Sequence, residues 1–191
     1  MNSLFDDLPS IPGLVLVRDF VNEPSRLLDQ IDTMPWMTNL SRRVQHYGWR
    51  YDYKARSVHR QSYLGPLPEC LAVLARQLAD KGLMSTAPDQ AIVNEYLPGQ
   101  GISAHIDCEP CFGPEIASFS LGDEYPMRFQ RVADDEQFEL WLPIGSVCIM
   151  SGPARYEWKH EIVKRRSDPL AGGRKVRRRR VSVTFRKVIV D

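Results

Sequence analysis

The chain has 191 residues, 43% of them hydrophobic and 26% charged, with 25 Lys+Arg against 24 Asp+Glu. That composition excludes wholesale disorder, and a formal net charge of +1 excludes both a wholly basic nucleic-acid coat and an acidic tail. The charge is uneven, however: residues 155–187 hold 13 basic and 3 acidic residues, a cationic segment on an otherwise acidic body, as a polyanion or an anionic cofactor would require.

No apolar run approaches the roughly 18 residues of a membrane span. The start, Met1-Asn2-Ser3-Leu4-Phe5-Asp6-Asp7, is acidic and lacks the basic and apolar regions of a signal peptide. A cytoplasmic protein is expected, with the nucleus open to a eukaryotic one. Leu14–Val17 is a short apolar run after Pro12-Gly13 and reads as a strand. Asn22 can cap a helix with Pro24 in its first turn, and Leu27, Leu28 and Ile31 share one face. Residues 45–58 are rich in Tyr and Arg and suggest a loop or hairpin. Pro68 opens a second helix, whose Leu71, Leu74 and Leu78 form an apolar stripe ending at Gly82.

From residue 91 the pattern changes to period two. Strands are expected at 91–96, 102–106, 116–121, 126–130, 137–142, 146–150, 157–162 and 181–189, separated by Gly- and Pro-containing turns. Eight short strands at this spacing predict a mainly β (α+β) antiparallel sandwich or jelly roll with the helices packed on one sheet. Of Cys70, Cys108, Cys111 and Cys148, only Cys108-Glu-Pro-Cys111 has CxxC spacing, and no second pair accompanies it. Reduced, mostly buried thiols are expected.

His105-Ile-Asp107 lies on a predicted strand, where i, i+2 spacing puts both side chains on one face. A His and a carboxylate are two ligands of a facial triad that leaves metal positions open; the third must be a distant His. His160 lies on another predicted strand. Alone, an HxD pair is a weak signal, and His160 beside Trp158 also suits a buried, hydrogen-bonded histidine. On the last strand Arg180, Ser182, Thr184 and Arg186 point one way and Val181, Val183 and Phe185 the other. The first set suits either an acidic ligand or a solvated edge guarded by arginines. Arg178 shares the parity of Arg180. Asn94 and Tyr96 share a face of the strand before the HxD pair and can hydrogen-bond an acid.

Taken in order, Asn94-Glu-Tyr96-Leu-Pro98-Gly99, His105-Ile-Asp107, Ile116-Ala-Ser-Phe-Ser-Leu-Gly122, Ser151-Gly152 with His160, and Arg180-x-Ser-x-Thr-Phe-Arg186 make the chain resemble the AlkB family of Fe(II)- and 2-oxoglutarate-dependent dioxygenases. The match covers about residues 40–190. The resemblance implies a double-stranded β-helix, or jelly roll, with an N-terminal nucleotide-recognition lid. One domain over 1–191 is expected: helices plus lid at 1–90 and the jelly-roll core at 91–191. His105, Asp107 and His160 would hold Fe(II). Arg180, helped by Tyr96, would pair with the far carboxylate of 2-oxoglutarate; Arg186 and Asn94 would lie at its metal-bound end, with Ser182 a further contact. Ser182 departs from the Asn found in the bacterial repair enzyme. With O2, the implied chemistry couples decarboxylation of the cosubstrate to succinate with hydroxylation of a C–H bond, and no protein general base beyond the metal site is expected.

The cluster His46-Tyr-Gly-Trp-Arg-Tyr-Asp-Tyr-Lys54 resembles the family's lid. Tyr51 and Tyr53 would stack on a base, Arg50 would lie near phosphate, and Glu109 would contact a base amino group. A packed hairpin covering the sheet is the other reading. Arg165, Arg166, Arg174, Lys175, Arg177, Arg178 and Arg179 suit phosphate contacts or a solvated loop. A monomer that demethylates alkylated bases in single-stranded or flipped-out DNA or RNA is expected, releasing formaldehyde. The alternatives are hydroxylation of a modified tRNA base, demethylation of a protein side chain, or a non-catalytic, metal-stabilised nucleic-acid-binding jelly roll.

Overall fold

The computed structural model describes residues 11–38 and 41–190. The expected acidic start at Met1–Asp7 lies outside the described residues. The chain forms β1 (Leu14–Val17), α1 (Pro24–Asp32), β2 (Val44–Tyr47), α2 (Glu69–Asp80), β3 (Gln90–Tyr96) and β4 (Ile102–His105). These are followed by β5 (Phe112–Leu121), β6 (Tyr125–Arg131), β7 (Gln137–Leu142), β8 (Val147–Met150) and the short α3 (Gly152–Tyr156). The chain closes with β9 (Trp158–Ile162), β10 (Ser167–Leu170), β11 (Gly173–Val176) and β12 (Arg180–Val188). A six-stranded sheet in the order β1-β8-β5-β12-β3-β2 faces a four-stranded sheet in the order β4-β9-β6-β7. All described pairings are antiparallel, giving the expected jelly-roll architecture.

The alternation in β12 divides the interior. Val181, Val183 and Phe185 pack with Leu71, Leu74 and Leu78 of α2 and with Leu27 and Ile31 of α1. This core joins the helices to the large sheet, as the apolar stripes predict. A second core, including Phe112, Ile116, Met127, Phe129, Leu142 and Trp158, fills the space between the sheets. The opposite face of β12 (Arg180, Ser182, Thr184 and Arg186) lines a small cavity between the sheets. The polar residues of an otherwise apolar strand therefore point inward, not to solvent as a guarded edge would place them.

Several local expectations are corrected. Helix α1 is preceded by Glu23, not Asn22, and no side chain caps it; Pro24 alone supplies the start signal. Val44–Tyr47 is not loop but the edge strand of the large sheet, paired with β3. The turn expected at Gly113-Pro114 lies inside β5, where the register against β12 shifts between Arg186 and Val188. A bulge there accommodates the proline's missing N–H. Arg174 and Lys175, for which phosphate contacts or a solvated loop were the two readings, lie on β11, which pairs with β10 as a hairpin. Cys108 and Cys111 are not reduced thiols but a disulfide, their Cα atoms 5.3 Å apart across a turn that suits the bond. Cys70 and Cys148 are free. Among the described residues, no helix is long and apolar enough to cross a membrane.

Candidate metal centre

His105 and His160 are direct cross-strand partners in the β4–β9 pair, with ring centroids 4.4 Å apart. The close approach of these strands depends on Gly101, where a Cβ would meet the Ile162 carbonyl oxygen at 2.1 Å. Asp107 lies just beyond the end of β4, not on the strand as expected, and its Oδ1 is 3.6 Å from His105 Nε2. One ligand atom from each of His105, Asp107 and His160 falls within 4.8 Å of the others. His105 Nδ1 donates to the Ser103 carbonyl oxygen at 2.7 Å, which leaves the Nε2 lone pair for the centre.

The electrostatics hold the triad in its ligand forms. Burial, reinforced by His105, pushes His160 down to about 3, so its ring is neutral at pH 7. Burial opposes ionisation of Asp107, but the Arg186 guanidinium and the adjoining His105 more than offset it and hold the carboxyl well below the usual range. Arg186 grips Asp107 with Nε and Nη2 at 2.9 and 3.1 Å. Its Nη1 reaches Gln90 Oε1 at 3.4 Å, and Gln90 in turn donates to the Trp49 carbonyl oxygen. From α3, Arg155 donates to the carbonyl oxygens of Asp107 and Cys108 at 3.0 and 3.3 Å.

The depressed histidines carry a pH consequence. His160 at about 3 and half-buried His46, pushed by burial to about 4, both lie below their ordinary value of 6.5. Across that window the unfolded chain binds more protons than the folded one, so stability is fully present above 6.5 and is lost as pH falls toward 4. The metal-free protein should lose up to ~1.4 kcal/mol per pH unit for each histidine. Chemical denaturation at pH 7, 6 and 5 checks this; a flat profile contradicts it. His46→Asn should remove about half of the slope.

The β3–β12 register sets Arg180 opposite Tyr96, Ser182 opposite Asn94 and Arg186 opposite Gln90. The alternative Arg178 is exposed, whereas Arg180 is fully buried. Arg180 donates to Ser120 Oγ at 2.8 Å, while its Nε and Nη1 have no hydrogen-bond partner among the described residues. Burial lowers its pKa. A buried guanidinium without a carboxylate is costly, so its place demands an anion. It lines a cavity of about 40 Å³ together with Asn94, Tyr96, Ser182, Arg186, His105 and His160. This cavity therefore brings the Arg180 cation and several hydroxyls together with the two histidines of the triad.

A larger cleft of about 670 Å³ opens on the other side of His105 and Asp107. Tyr51 and Tyr53 line it, their rings edge to face at 5.2 Å, with Tyr51 against Phe112 at 5.6 Å. Arg42, Arg56, Lys159, Lys164 and Arg186 supply its positive charge; Asp107 is its carboxylate among the described residues. Arg50 and Glu109 are exposed and do not line this cleft. The cationic run also differs from a free phosphate-binding patch. Arg165 pairs with Asp168 and Glu139, Lys175 with Asp123, Arg177 with Asp168, and Arg179 with Asp32 and Glu95.

Residues 24–186 match the model of the 2OG-Fe(II) oxygenase superfamily. An Arabidopsis thaliana protein described as an alkylated DNA repair protein ALKBH8 homolog is 37% identical over 97% of this chain and 61% of its own length. The chain belongs to the AlkB family of 2OG-Fe(II) oxygenases. It is accordingly a dioxygenase that uses Fe(II), 2-oxoglutarate and O2, and the triad and the unpaired buried Arg180 fit that set. A Xenopus tropicalis tRNA (carboxymethyluridine(34)-5-O)-methyltransferase alkbh8 is 35% identical over 94% of this chain and 32% of that protein. The chain thus spans 61% of the first relative's length and 32% of the second's. The solved structure of OsALKBH1 has the same fold, with a TM-score of 0.68 at 22% identity, covering 94% of this chain and 99% of that one.

Gln90 and Arg155 were missed in the sequence. Gln90 shares the parity of Asn94 and Tyr96, so strand alternation contained its signal. Nothing in the sequence pointed to Arg155, because its role depends on the short helix α3 lying against the Asp107 loop.

Proposed function

We propose that the chain oxidises an alkyl carbon carried by a base of single-stranded or flipped-out nucleic acid. The observation that carries this reading is the cleft that sets Tyr51 and Tyr53 beside His105 and Asp107 within a cationic surround. Flat rings and cations suit a base and its phosphates. His105, Asp107 and His160 would hold Fe(II). Arg180, Tyr96 and Ser182 would hold the far end of 2-oxoglutarate, and Asn94 and Arg186 would orient the end nearest the metal. Bound there, Fe(II) with 2-oxoglutarate and O2 supplies the oxidising chemistry. The protein's own groups orient the ligands and compensate charge: Arg186 fixes Asp107, and Arg180 neutralises a dicarboxylate in a buried site.

An N-methyl carbon, once hydroxylated, leaves as formaldehyde; a carbon-linked one stays as an alcohol. The charge of the cleft favours the second outcome. A cationic alkylated base would enter a surface of arginines and lysines whose carboxylate already grips Arg186. A neutral or acidic substituent meets no such penalty. The relative whose name specifies carboxymethyluridine in tRNA supports an RNA substrate; the methyl transfer in that name is not carried over. The test compares succinate and formaldehyde yields on tRNA bearing carbon-linked uridine side chains and on oligonucleotides bearing cationic N-methyl bases. Succinate without formaldehyde on the tRNA is expected. Coupled turnover confined to the cationic bases contradicts the charge reading, and turnover of neither contradicts the nucleic-acid reading.

Two variants probe the cleft. Replacing Tyr51 and Tyr53 by Ala should raise KM about tenfold or more, the worth of one lost base stack, and leave 2-oxoglutarate binding intact. Unchanged KM contradicts stacking. Lys159 and Lys164 line the cleft without an ion-pair partner among the described residues. Neutralising both should reduce the salt dependence of RNA binding by about two phosphates. An equal loss from Lys175→Ala, whose ammonium is held by Asp123, contradicts this assignment.

A further inference from the structure

The CxxC pair takes no part in the chemistry above, yet it lies between the metal-ligand loop and the aromatic segment of the cleft. Cys108 directly follows Asp107, and both cysteines are buried, at 7% and 5% exposure. Both sulfurs face one atom, the carbonyl oxygen of Arg56, at 3.2 and 3.4 Å. That carbonyl belongs to a tight turn closed by backbone bonds between Asp52 and Ser57, in which Asp52 Oδ1 also accepts from the Lys54 and Ala55 N–H groups. Arg56 itself has φ 51°, a left-handed conformation that a residue with a side chain holds only when its surroundings fix it. The same turn carries Tyr53. Two recesses reach the pair: one of about 310 Å³ lined by Arg56, His59, Arg60 and Cys111, the other of about 390 Å³ lined by Arg56, Asp107, Cys108 and Glu109.

We propose that Cys108 and Cys111 are a thiol–disulfide exchange site, taking an anionic small thiol of the glutathione type, whose redox state sets how firmly the Tyr51–Tyr53 segment is tied to the loop bearing Asp107. The recess beside Cys111, with the Arg56 guanidinium in its lining, suits such a thiol. In the exchange, two small thiols give two electrons and two protons to the pair; the Cys108–Cys111 bond breaks, two S–H bonds form, and the small disulfide is released. The small disulfide reverses the step. Each protein thiol can donate weakly to the Arg56 carbonyl oxygen, whereas a disulfide sulfur has no proton to donate. Reduction therefore adds two donors at the contact between lid and loop, and oxidation removes them.

The full-length chain, equilibrated in graded mixtures of reduced and oxidised glutathione, is acid-quenched, alkylated and weighed. A single step of two alkylated thiols, absent from Cys108→Ser and from Cys111→Ser, is expected. Limited trypsin digestion then reads the turn at Lys54 and Arg56. Cleavage should be about fivefold faster in the oxidised chain, as for two weak hydrogen bonds lost. The Cys108→Ser/Cys111→Ser double variant keeps hydroxyl donors and should be cleaved slowly in every buffer. Its Cys108→Ala/Cys111→Ala counterpart should be cleaved quickly in every buffer. Equal cleavage of the wild type in both states, redox dependence persisting in either double variant, or absence of the two-thiol step overturns the proposal. None of these readouts needs turnover, so failure of the nucleic-acid reading would leave the result interpretable.

Discussion

Replacing Arg180 by Met is expected to weaken 2-oxoglutarate binding by about 10²–10³-fold while leaving the unliganded protein as stable or more stable. The guanidinium is fully buried, lies 5.5 and 5.9 Å from the Tyr96 and Tyr125 ring centroids and hydrogen-bonds Ser120 Oγ, with two of its nitrogens unpartnered and no carboxylate paired with it among the described residues. Without its anion it is a desolvated charge, and exchanging such a charge for an apolar side chain of similar length is neutral or gains about 1–4 kcal/mol. With the anion bound, the same charge forms a water-excluded pair, and removing one partner costs about 3–5 kcal/mol. Calorimetric titration of 2-oxoglutarate with Mn(II) in place of Fe(II), together with thermal denaturation of the ligand-free chain, measures both effects. A purely structural arginine would give the reverse: lower stability with affinity little changed.

Asp107→Asn should produce the opposite sign in stability. Here the partner charge is built into the chain: Arg186, 8% exposed, is gripped by a carboxylate that is 6% exposed. Removing the carboxylate charge strands Arg186 between the sheets and should cost about 3–5 kcal/mol in the metal-free protein. It also removes the anionic ligand of the triad, so Fe(II) affinity should fall by at least about a hundredfold. Denaturation without metal and an Fe(II) titration separate the two losses. Retained metal affinity would exclude Asp107 as a ligand. Retained stability would show that the Asp107–Arg186 pair contributes little to the fold.

Much of this arrangement was legible in the sequence, for a physical reason. Strand alternation is a local signal, and it correctly put Arg180, Ser182, Thr184 and Arg186 on one face and Val181, Val183 and Phe185 on the other. The apolar stripes of α1 and α2 were equally local. Convergence of His105 with His160 depends on pairing across 55 residues; it was expected from the jelly roll and from the family resemblance, not from spacing. What sequence could not supply was partnership. Arg165, Lys175, Arg177 and Arg179 look alike in a basic run, and only the folded chain shows each beside a carboxylate. The cations that line the cleft combine Lys159, Lys164 and Arg186 of that basic segment with Arg42 and Arg56 from far outside it. The disulfide was missed because a CxxC motif alone does not distinguish a thiol pair from a bonded one.

The assignment of His105, Asp107, His160 and Arg180 to one centre is tested most directly under anaerobic conditions. Fe(II) and 2-oxoglutarate are added together to the metal-free chain and the visible spectrum is recorded. A weak metal-to-ligand charge-transfer band is expected, absent with either addition alone and absent from His105→Ala and from Arg180→Met. A wild-type spectrum without the band, or a band of full strength in those variants, contradicts the assignment.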